Sequence, residues 1–307
     1  MDKIYDMAVV GGGPGGYTAA LYAARAGLNV VVLEKLSPGG QMALTAQVDN
    51  YPGFDQGIDG FTLGENMRRG AERFGAETVL AEVLSLDLAP IPKRIETSTG
   101  TFFAQTVVYA AGAGPRELGV PGEAELAGKR VHYCAACDGM FYKGKHVVVV
   151  GGGNSAAADA SLLSRVAEKV TIVHRRDTLR AEKSSYAPLL EAKNVEFRWN
   201  SAVTELRPQG DRVELTLQNV ATGEETVLSA DGVFVSIGRK PATELVAEQL
   251  ALDPTGYLPA DESTRTQIPG VFAVGDVRTK AVRQIVTAAA DGATAAHFAQ
   301  EHLAGKH

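Results

Sequence analysis

Cysteine is scarce in this chain, since only Cys134 and Cys137 occur among 307 residues. Small secreted domains held by several disulfides carry many more cysteines, so the sequence excludes that class. In a reducing compartment a single cysteine pair is typical of catalysis or metal binding rather than of structural cross-linking. The scarcity therefore directs attention to the chemistry of this one pair.

Excess positive charge and long apolar runs are missing as well. The formal net charge is -6 and the sequence pI is about 5.6, which argues against nucleic acid as a partner, because a phosphate backbone requires a basic face. No apolar run approaches the roughly 20 residues that span a bilayer, so no membrane partner is predicted. The chain enters a predicted strand at Ile4 without a basic and apolar leader, and we expect a cytoplasmic protein.

The two cysteines lie in residues 133–139, with the sequence YCAACDG. Their spacing is C-x-x-C, and Asp138 directly follows the second cysteine. At the start of a helix this spacing places both sulfurs on one side, within the short Cα separation that a disulfide tolerates. A thiolate is the attacking species in thiol–disulfide exchange, and Asp138 is the adjacent group that can manage its proton.

A glycine-rich loop follows the first predicted strand. Residues 11–16 contain the pattern G-x-G-x-x-G, a helix-forming stretch comes next, and a second strand ends in Glu34. Such glycines let a pyrophosphate approach the backbone at the positive end of a helix, while the acid accepts a hydrogen bond from a ribose hydroxyl. The pattern predicts a dinucleotide site, and the plain alternative is a tight helix–strand packing turn.

The same unit recurs after the cysteines, as a strand over 147–150, a loop with Gly151-x-Gly153-x-x-Ala156, a helix over 156–166 and a strand over 170–173. Here the second strand ends in residues 174–176, His-Arg-Arg, with Arg180 four residues on. An acid would repel a 2′-phosphate, whereas arginine binds it as a bidentate fork. We therefore expect a dinucleotide with a free ribose hydroxyl in the first site and NADPH in the second. The alternative for the arginines is a solvated strand end.

Small sheets and glycine-rich breaks suggest how these units are arranged. Alternating patterns predict one antiparallel sheet from residues 79–88, 94–98 and 101–109 and another from residues 196–198, 213–217 and 226–228. Breaks lie at 110–115 and 238–241. The remainder is too short for a third nucleotide domain, so we expect it to complete the first one. The predicted domains are thus 1–113 with 242–307, and 114–241 as an insertion.

The order of motifs resembles that of the low-molecular-weight bacterial thioredoxin reductases, class II of the pyridine nucleotide-disulfide oxidoreductases. The resemblance rests on both loops, C-x-x-C-D, residues 174–176, and a late Gly275-Asp276 followed by Arg283-Gln284. It covers essentially the whole chain. It implies an α/β fold with two Rossmann-like nucleotide-binding domains (three-layer ββα), the NADPH domain being inserted into the FAD domain. It also implies a homodimer.

The resemblance further implies the residues of each site. Those for FAD are Gly11, Gly13, Pro14, Gly16, Glu34, Gly40, Gln41, Asn50, Val83, Gly275, Asp276, Arg283, Gln284 and Ile285. Those for NADPH are Gly151, Gly153, Asn154, Ser155, His174, Arg175, Arg176 and Arg180. The implied catalytic residues are Cys134, Cys137 and Asp138, with Asp138 as acid–base group and Cys137 against the flavin ring.

Two places depart from the family pattern. Ala136 stands between the cysteines where threonine is usual, and Ala158 and Asp159 stand where the second helix usually carries two glutamates. Aspartate is shorter and alanine cannot form a side-chain hydrogen bond, so the family's contact with the NADPH ribose from this helix is not carried over to this chain. The arginines are intact, and the preference for phosphate is expected to persist.

The expected reaction passes a hydride from NADPH to FAD, then electrons to the Cys134–Cys137 disulfide, and then exchanges the dithiol with thioredoxin. One alternative is a flavin-dependent reductase for another client, a peroxiredoxin-type protein or a small dithiol. A second is a structural zinc site with His132 and His146, although four ligands must form a tetrahedron and His132 lies too close to Cys134 for common spacings. A third is a non-catalytic redox sensor that binds both nucleotides.

Overall fold

The computed structural model describes residues 3–45 and 47–305. The chain folds as an α/β protein with two Rossmann-like domains, which confirms the predicted fold class. It divides into two compact units, one comprising Met1–Gly114 and Lys240–His307 and the other comprising Pro115–Arg239. Within the described ranges, no helix combines the length and the apolar character needed to cross a membrane.

The strands are, in chain order, β1 (Ile4–Val10), β2 (Val30–Glu34), β3 (Glu77–Leu80), β4 (Val83–Asp87), β5 (Lys93–Thr97), β6 (Gly100–Tyr109), β7 (Ala113–Pro115), β8 (Val131–His132), β9 (His146–Val150), β10 (Lys169–Val173), β11 (Val195–Arg198), β12 (Ser201–Gln209), β13 (Arg212–Asn219), β14 (Glu225–Ala230), β15 (Gly232–Val235), β16 (Arg239–Pro241) and β17 (Val271–Ala273). The α-helices are α1 (Pro14–Arg25), α2 (Gly60–Glu72), α3 (Glu123–Leu126), α4 (Ala135–Asp138), α5 (Asn154–Leu163), α6 (Lys183–Glu191) and α7 (Ile285–Leu303). Short 3-10 helices are formed by Gly40–Leu44, Gly139–Tyr142 and Gly275–Val277.

The first unit is built on a parallel sheet with β1 at its centre. Strands β2 and then β3 lie on one side of β1, and β6 lies on the other. Strand β6 pairs with two further strands besides β1. Its first half pairs antiparallel with β5, and its last three residues pair parallel with β17. Because β1, β2 and β17 run in the same direction, their carboxyl ends meet at one edge, where open parallel sheets bind ligands.

The second unit repeats the parallel core with the strand order β11-β10-β9-β15-β8. Four consecutive valines of β9 are buried, as expected for a parallel strand covered on both faces. Strands β12, β13 and β14 form a separate antiparallel sheet. Strands β7 and β16 form a two-stranded sheet.

The helix that follows the first loop is fixed by close packing. It begins with Pro14, whose missing N–H is not needed in a first helical turn. A Cβ on Gly292 of α7 would lie 2.2 Å from the carbonyl oxygen of Gly15 in α1. Glycine at this crossing therefore lets the two backbones touch, and α7 holds the start of α1 in place.

The structure corrects two expectations about strands. Residues 196–198 belong to β11, which pairs parallel with β10, and the antiparallel sheet instead contains β12, which the sequence patterns did not reveal. Residues 79–88 form parts of two strands, since β3 pairs parallel with β2 whereas β4 pairs antiparallel with β5. Alternation of apolar and polar residues indicates a half-buried strand but does not identify its partner.

Candidate functional site

The redox motif forms a disulfide on the first turn of a short helix. The Cα atoms of Cys134 and Cys137 are 5.3 Å apart, within the range that a disulfide requires. Cys134 directly precedes α4, and its carbonyl oxygen accepts the backbone N–H groups of Cys137 (3.2 Å) and Asp138 (3.1 Å). The C-x-x-C spacing thus produces the geometry expected from the sequence, and both cysteines and Asp138 are half-buried.

A histidine holds the acid that follows the disulfide. Nδ1 of His132 lies 3.1 Å from Oδ2 of Asp138, and Nε2 lies 2.7 Å from the hydroxyl of Tyr142. The sequence drew attention to His132 only as a candidate zinc ligand. Its contact with Asp138 was missed, because a separation of six residues has no regular meaning in a helix or a strand.

The residue before Cys134 is also held by a buried acid. The carboxylate of Glu123, which is only 3% exposed, accepts the hydroxyl of Tyr133 at 3.0 Å and the backbone N–H groups of Leu118 and Gly119 at 2.9 and 2.7 Å. Burial, and then the Glu123 carboxylate, raise the pKa of Tyr133. The backbone leading into the disulfide is therefore anchored on both sides of Cys134.

The histidines considered for a zinc site are engaged elsewhere. His132 contacts Asp138 and Tyr142, and Nε2 of His146 lies 2.9 Å from Oγ1 of Thr171. Among residues 3–45 and 47–305 no group of three or more possible metal ligands comes together. The cysteine sulfurs are bonded to each other, which is the state expected of a redox pair.

The first glycine loop has the shape of a phosphate cradle. Gly11 has a φ of +103°, and a Cβ there would lie 2.6 Å from the carbonyl oxygen of Ala110. A Cβ on Gly16 would lie 2.0 Å from the carbonyl oxygen of Gly11, whereas one on Gly13 would meet no atom within 4 Å. The loop is therefore packed tightly against the protein at its two ends and open at Gly13, where no side chain caps helix α1.

Glu34 lies directly behind this loop. Its side chain is buried, Oε2 accepts the N–H of Gly12 at 2.6 Å, and Oε1 accepts the N–H of Leu36 at 3.0 Å. Each carboxylate oxygen has a further lone pair. The arrangement fits a hydrogen bond from a ribose hydroxyl, with the carboxylate already oriented by the backbone.

Further residues predicted for the first nucleotide approach the loop along the chain that follows β2. A Cβ on Gly40 would lie 3.6 Å from the Cα of Gly13. The side-chain amide of Gln41 donates to the carbonyl oxygen of Ala113 at 2.5 Å. Val83 lies at the start of β4 and packs against the core of the first sheet.

The remaining predicted residues surround the start of α7. The amide of Asn50 donates to Oε1 of Gln284 at 3.1 Å, and Gln284 caps the helix that begins at Ile285. Nε of Arg283 donates to the carbonyl oxygen of Asp276 at 3.3 Å. Residues more than 200 positions apart in the chain are thereby brought into contact, as with Asn50 and Gln284.

A buried carboxylate that the sequence patterns did not reveal holds this region. Asp291 in α7 accepts the N–H of Gly275 at 2.9 Å, two donors of Arg278 at 3.1 and 3.2 Å, and Nζ of Lys280 at 2.7 Å. These contacts fix the turn that carries Asp276. The available signal was an acid in the alanine-rich first part of α7, residues 285–296, where a charge needs a partner.

The second glycine loop repeats the first with different surroundings. Gly151 has a φ of +151°, and a Cβ there would lie 2.4 Å from the carbonyl oxygen of Ser236, the residue after β15. A Cβ on Gly153 would meet nothing within 4 Å. Oδ1 of Asn154 accepts the N–H of Glu182 at 3.0 Å, and Ser155 is exposed. This loop is again open where a phosphate would approach.

An imidazole and three arginines lie in the segment that follows β10. His174 is buried, and burial, followed by the charges of Arg180 and Arg176, lowers its pKa. The N–H of Arg180 donates to the carbonyl oxygen of Gly152 at 2.6 Å. Arg175, Arg176 and Arg180 are exposed, and their guanidinium groups form no ion pair with a residue that the structure describes. They are therefore available to an anionic ligand.

Asp159, one of the departures from the family pattern, has a partner inside the second unit. The hydroxyl of Ser236 donates to its Oδ2 at 2.6 Å, and burial raises the pKa of this carboxyl. Ala158 instead lines an open groove of about 540 Å³. The acid at this helix thus supports the end of β15 rather than facing the groove.

Comparison with known proteins agrees with this arrangement. The profile of the pyridine nucleotide-disulphide oxidoreductase family matches residues 5–292. The thioredoxin reductase of Listeria innocua is 44% identical over 303 residues, which cover 98% of this chain and 95% of that protein. The thioredoxin reductase of Streptomyces coelicolor is 45% identical over 307 residues, covering 99% and 95%.

Solved structures of thioredoxin reductases are also similar to this chain. The thioredoxin reductase of Streptococcus pyogenes superposes with a TM-score of 0.91 at 41% identity, covering 99% of this chain and 100% of that one. The thioredoxin reductase of Giardia duodenalis superposes with a TM-score of 0.90 at 35% identity and the same coverage.

Proposed function

We propose that this chain, which belongs to the pyridine nucleotide-disulphide oxidoreductase family, is a flavoprotein that uses NADPH to reduce the disulfide of thioredoxin. One observation carries the proposal. The only two cysteines form a disulfide, and Asp138, the residue that follows it, is held by His132. A disulfide that stands beside an oriented acid is suited to cycling rather than to cross-linking.

We assign FAD to the first unit and NADPH to the second. The open backbone at Gly13, the uncapped start of α1 and the carboxylate of Glu34 fit the pyrophosphate and ribose of a dinucleotide without a 2′-phosphate. The exposed guanidinium groups of Arg175, Arg176 and Arg180 fit a 2′-phosphate. The inserted segment 114–241 would thus bind NADPH, and 1–113 with 242–307 would bind FAD.

When bound, NADPH and FAD supply the two electrons, first as a hydride, that open the Cys134–Cys137 disulfide. The protein then carries out thiol–disulfide exchange. A cysteine thiolate attacks the disulfide of thioredoxin and forms a mixed disulfide, and one thioredoxin sulfur leaves as a thiolate. The second cysteine attacks that mixed disulfide, closes the Cys134–Cys137 bond and releases dithiol thioredoxin. Asp138 takes up the proton of the second cysteine as it attacks, and the two thioredoxin thiolates are protonated by Asp138 and by solvent.

Two further assignments follow the family resemblance. We propose a homodimer, which sedimentation velocity tests directly. We also propose the cytoplasm as its compartment, because a catalytic disulfide that cycles is the kind that occurs where thiols are kept reduced.

The proposal is tested by anaerobic titration of the purified yellow protein with NADPH, followed by oxidised thioredoxin and a disulfide-reporter dye. We expect the flavin absorbance to bleach and sustained turnover to begin only when thioredoxin is added. Cys134→Ser and Cys137→Ser are the matched controls. Each should leave bleaching by NADPH intact and abolish thioredoxin reduction.

The same experiment separates the alternatives. Faster turnover with a peroxiredoxin-type protein or a small disulfide than with thioredoxin would favour a reductase for another client. Bleaching without turnover on any disulfide would indicate a redox sensor. If Cys137→Ser still reduced thioredoxin, the proposed electron path would be wrong.

A further inference from the structure

The contact of His132 with Asp138 is the outer part of a longer hydrogen-bonded chain. The hydroxyl of Tyr142, which contacts Nε2 of His132, also lies 3.4 Å from the carbonyl oxygen of Lys129. His132 and Tyr142 are 7% and 3% exposed, whereas the side chain of Asp138 is 20% exposed. The chain therefore links the acid beside the disulfide to the interior of the second unit.

The distances assign the protons along this chain. The Tyr142 hydroxyl has two acceptors, and its contact with Nε2 of His132, at 2.7 Å, is much shorter than its contact with Lys129, at 3.4 Å. We therefore assign the hydroxyl proton to the shorter contact, in which Tyr142 donates to Nε2 of His132. Burial also raises the pKa of Tyr142. An imidazole whose Nε2 accepts a hydrogen bond carries its proton on Nδ1, from which it donates to Asp138.

Packing fixes the orientation of the imidazole. His132 is the register partner of Phe234 in the neighbouring strand β15, and their rings are stacked with centroids 5.3 Å apart. The ring of Tyr142 meets the imidazole edge-on at 5.2 Å. Gly232 makes room for that tyrosine, since a Cβ there would lie 2.3 Å from its ring. The imidazole cannot turn without displacing one of these neighbours.

We propose that His132 is a positioning residue for disulfide exchange, which holds Oδ2 of Asp138 and so presents Oδ1 to the cysteine thiols. The inference rests on the proposed function. In the step concerned, the second cysteine sulfur attacks the mixed disulfide and the Cys134–Cys137 bond forms. The bond to the client sulfur breaks with its electron pair, and the proton of the attacking thiol passes to Oδ1. A carboxylate already held in place receives that proton without reorienting.

Several charged groups surround this chain and bear on any pH profile. They are Arg130, Asp138, Lys145 and Asp231. The histidine variants below leave all four in place. Both variants also remove the imidazole itself, so a difference between their two profiles reports on the orientation of Asp138 rather than on a lost ionisable group.

The test uses two substitutions of the same residue. In His132→Asn the amide nitrogen takes the place of Nδ1 and keeps a donor for Asp138. In His132→Gln the amide takes the place of Nε2, which keeps the contact with Tyr142 and loses the donor. Each holoenzyme is reduced, freed of reductant and mixed with oxidised thioredoxin, and the single-turnover rate is measured across pH. Alkylation of the reduced cysteines with iodoacetamide across pH gives a second readout that requires no thioredoxin.

We expect His132→Gln to slow the single turnover about 10-fold, by analogy with the loss that follows removal of a hydrogen-bonding partner that orients a metal ligand. Its alkylation profile should follow that of Asp138→Asn, and His132→Asn should recover most of the rate. The variant that combines His132→Gln with Asp138→Asn should be no slower than Asp138→Asn alone, because both substitutions remove the same function. A wild-type rate and profile in His132→Gln, or full additivity in the double variant, would overturn the inference.

Two outcomes need separate controls. If His132→Gln does not fold, Tyr142→Phe provides the test, since it removes only the hydroxyl that orients Nε2. A shift of its alkylation profile towards that of Asp138→Asn supports the inference, and an unshifted profile contradicts it. If the wild-type dithiol reduces a chromogenic small disulfide but not thioredoxin, the proposed client is wrong, while the histidine comparison is then decided with the small disulfide.

Discussion

Gly12 in the first unit and Gly152 in the second hold the same place in their loops, and a different side chain lies behind each. Glu34 follows Gly12 by 22 residues, and His174 follows Gly152 by 22 residues. A Cβ on Gly12 would lie 2.9 Å from Oε2 of Glu34, and one on Gly152 would lie 2.1 Å from the ring of His174. The same backbone thus presents a carboxylate at one loop and an imidazole at the other.

The residues after these two positions extend the difference. Lys35 follows Glu34 and forms an ion pair with Glu82, with Nζ 2.6 Å from Oε1. Arg175 and Arg176 follow His174, and neither pairs with a carboxylate in the part of the chain that the structure describes. The comparison indicates that a shared scaffold acquires its nucleotide preference from two or three side chains at one strand end.

Removing the two arginines is expected to have the largest effect. Arg175→Gln combined with Arg176→Gln should raise KM for NADPH by about 100-fold or more, because each hydrogen bond to a charged group contributes about 1.5–3 kcal/mol. KM for NADH should change little. Steady-state kinetics with both nucleotides measure the difference. Arg198→Gln is the matched control, since Arg198 is already paired with Glu196 at 2.7 Å. An equal rise in KM for NADH in the double variant would contradict binding of the 2′-phosphate by these arginines.

The two loops could be predicted from the sequence because glycine spacing is local and has its own steric cause. Gly11 and Gly151 adopt positive φ, and a Cβ on either would collide with a backbone oxygen, so a larger residue does not fit there. The supporting side chains could not be predicted in this way. Asp291 reaches Gly275, and His132 reaches Asp138, through tertiary contacts that no periodicity encodes.

Strand partners show the same limit. The pattern at residues 196–198 indicates a strand, yet the pairing of β11 with β10 depends on the helix that precedes it in the chain. Local sequence therefore identifies the elements, and the arrangement of neighbours decides which sheet each one joins.

The second comparison concerns one aspartate from each unit. Asp291→Asn should destabilise the protein by about 3 kcal/mol, because Arg278 and Lys280 are buried and would lose the carboxylate with which both pair among the described residues. Asp159→Asn should leave stability equal or higher at pH 7. Burial raises the pKa of Asp159 above its unfolded value, so its ionised form costs stability at neutral pH, and this cost disappears as pH falls through the folded pKa.

Urea denaturation at pH 7 with excess FAD measures both aspartate variants. An Asp291→Asn protein as stable as the wild type would mean that the cations find other partners. A marked loss in Asp159→Asn would mean that the carboxylate, and not only its hydrogen bond from Ser236, supports the fold.

A smaller effect is expected from a methyl group placed in the open part of the first loop. Gly13→Ala should weaken FAD binding about 10-fold, because the Cβ points into the space that the pyrophosphate would occupy. Its cost to the FAD-free protein should be only about 1 kcal/mol, the typical loss for alanine at a helix N-cap. Fluorescence titration with FAD measures the loss of affinity, and thermal unfolding of the FAD-free protein measures the loss of stability. Gly70→Ala is the control, since a Cβ there also meets no atom within 4 Å. Unchanged FAD affinity in Gly13→Ala would show that this loop is not part of the FAD site.

The smallest expected effect concerns acid sensitivity, and it compares the residues near the start of strands β1 and β9. His146 in β9 takes the place that Asp6 has in β1, four residues before the strand ends. Burial, followed by the charges of Lys169 and Arg212, lowers the pKa of His146. Above about pH 6.5 neither the folded nor the unfolded state binds this proton; below it the unfolded state binds the proton first, so stability falls as pH falls.

His146→Gln should therefore reduce the loss of Tm between pH 7.5 and 5.5 by about 1–3 °C. Gln can still bond the hydroxyl of Thr171, and so the variant should match the wild type at pH 7.5. Thermal unfolding across this range measures the slope, with Asp6→Asn as the control in the first unit. Asp6 accepts the N–H of Asn29 at 2.8 Å. Its replacement leaves His146 and the groups around it in place, so the slope between pH 7.5 and 5.5 should be unchanged. An identical slope in wild type and His146→Gln would show that acid sensitivity does not distinguish the two sheets.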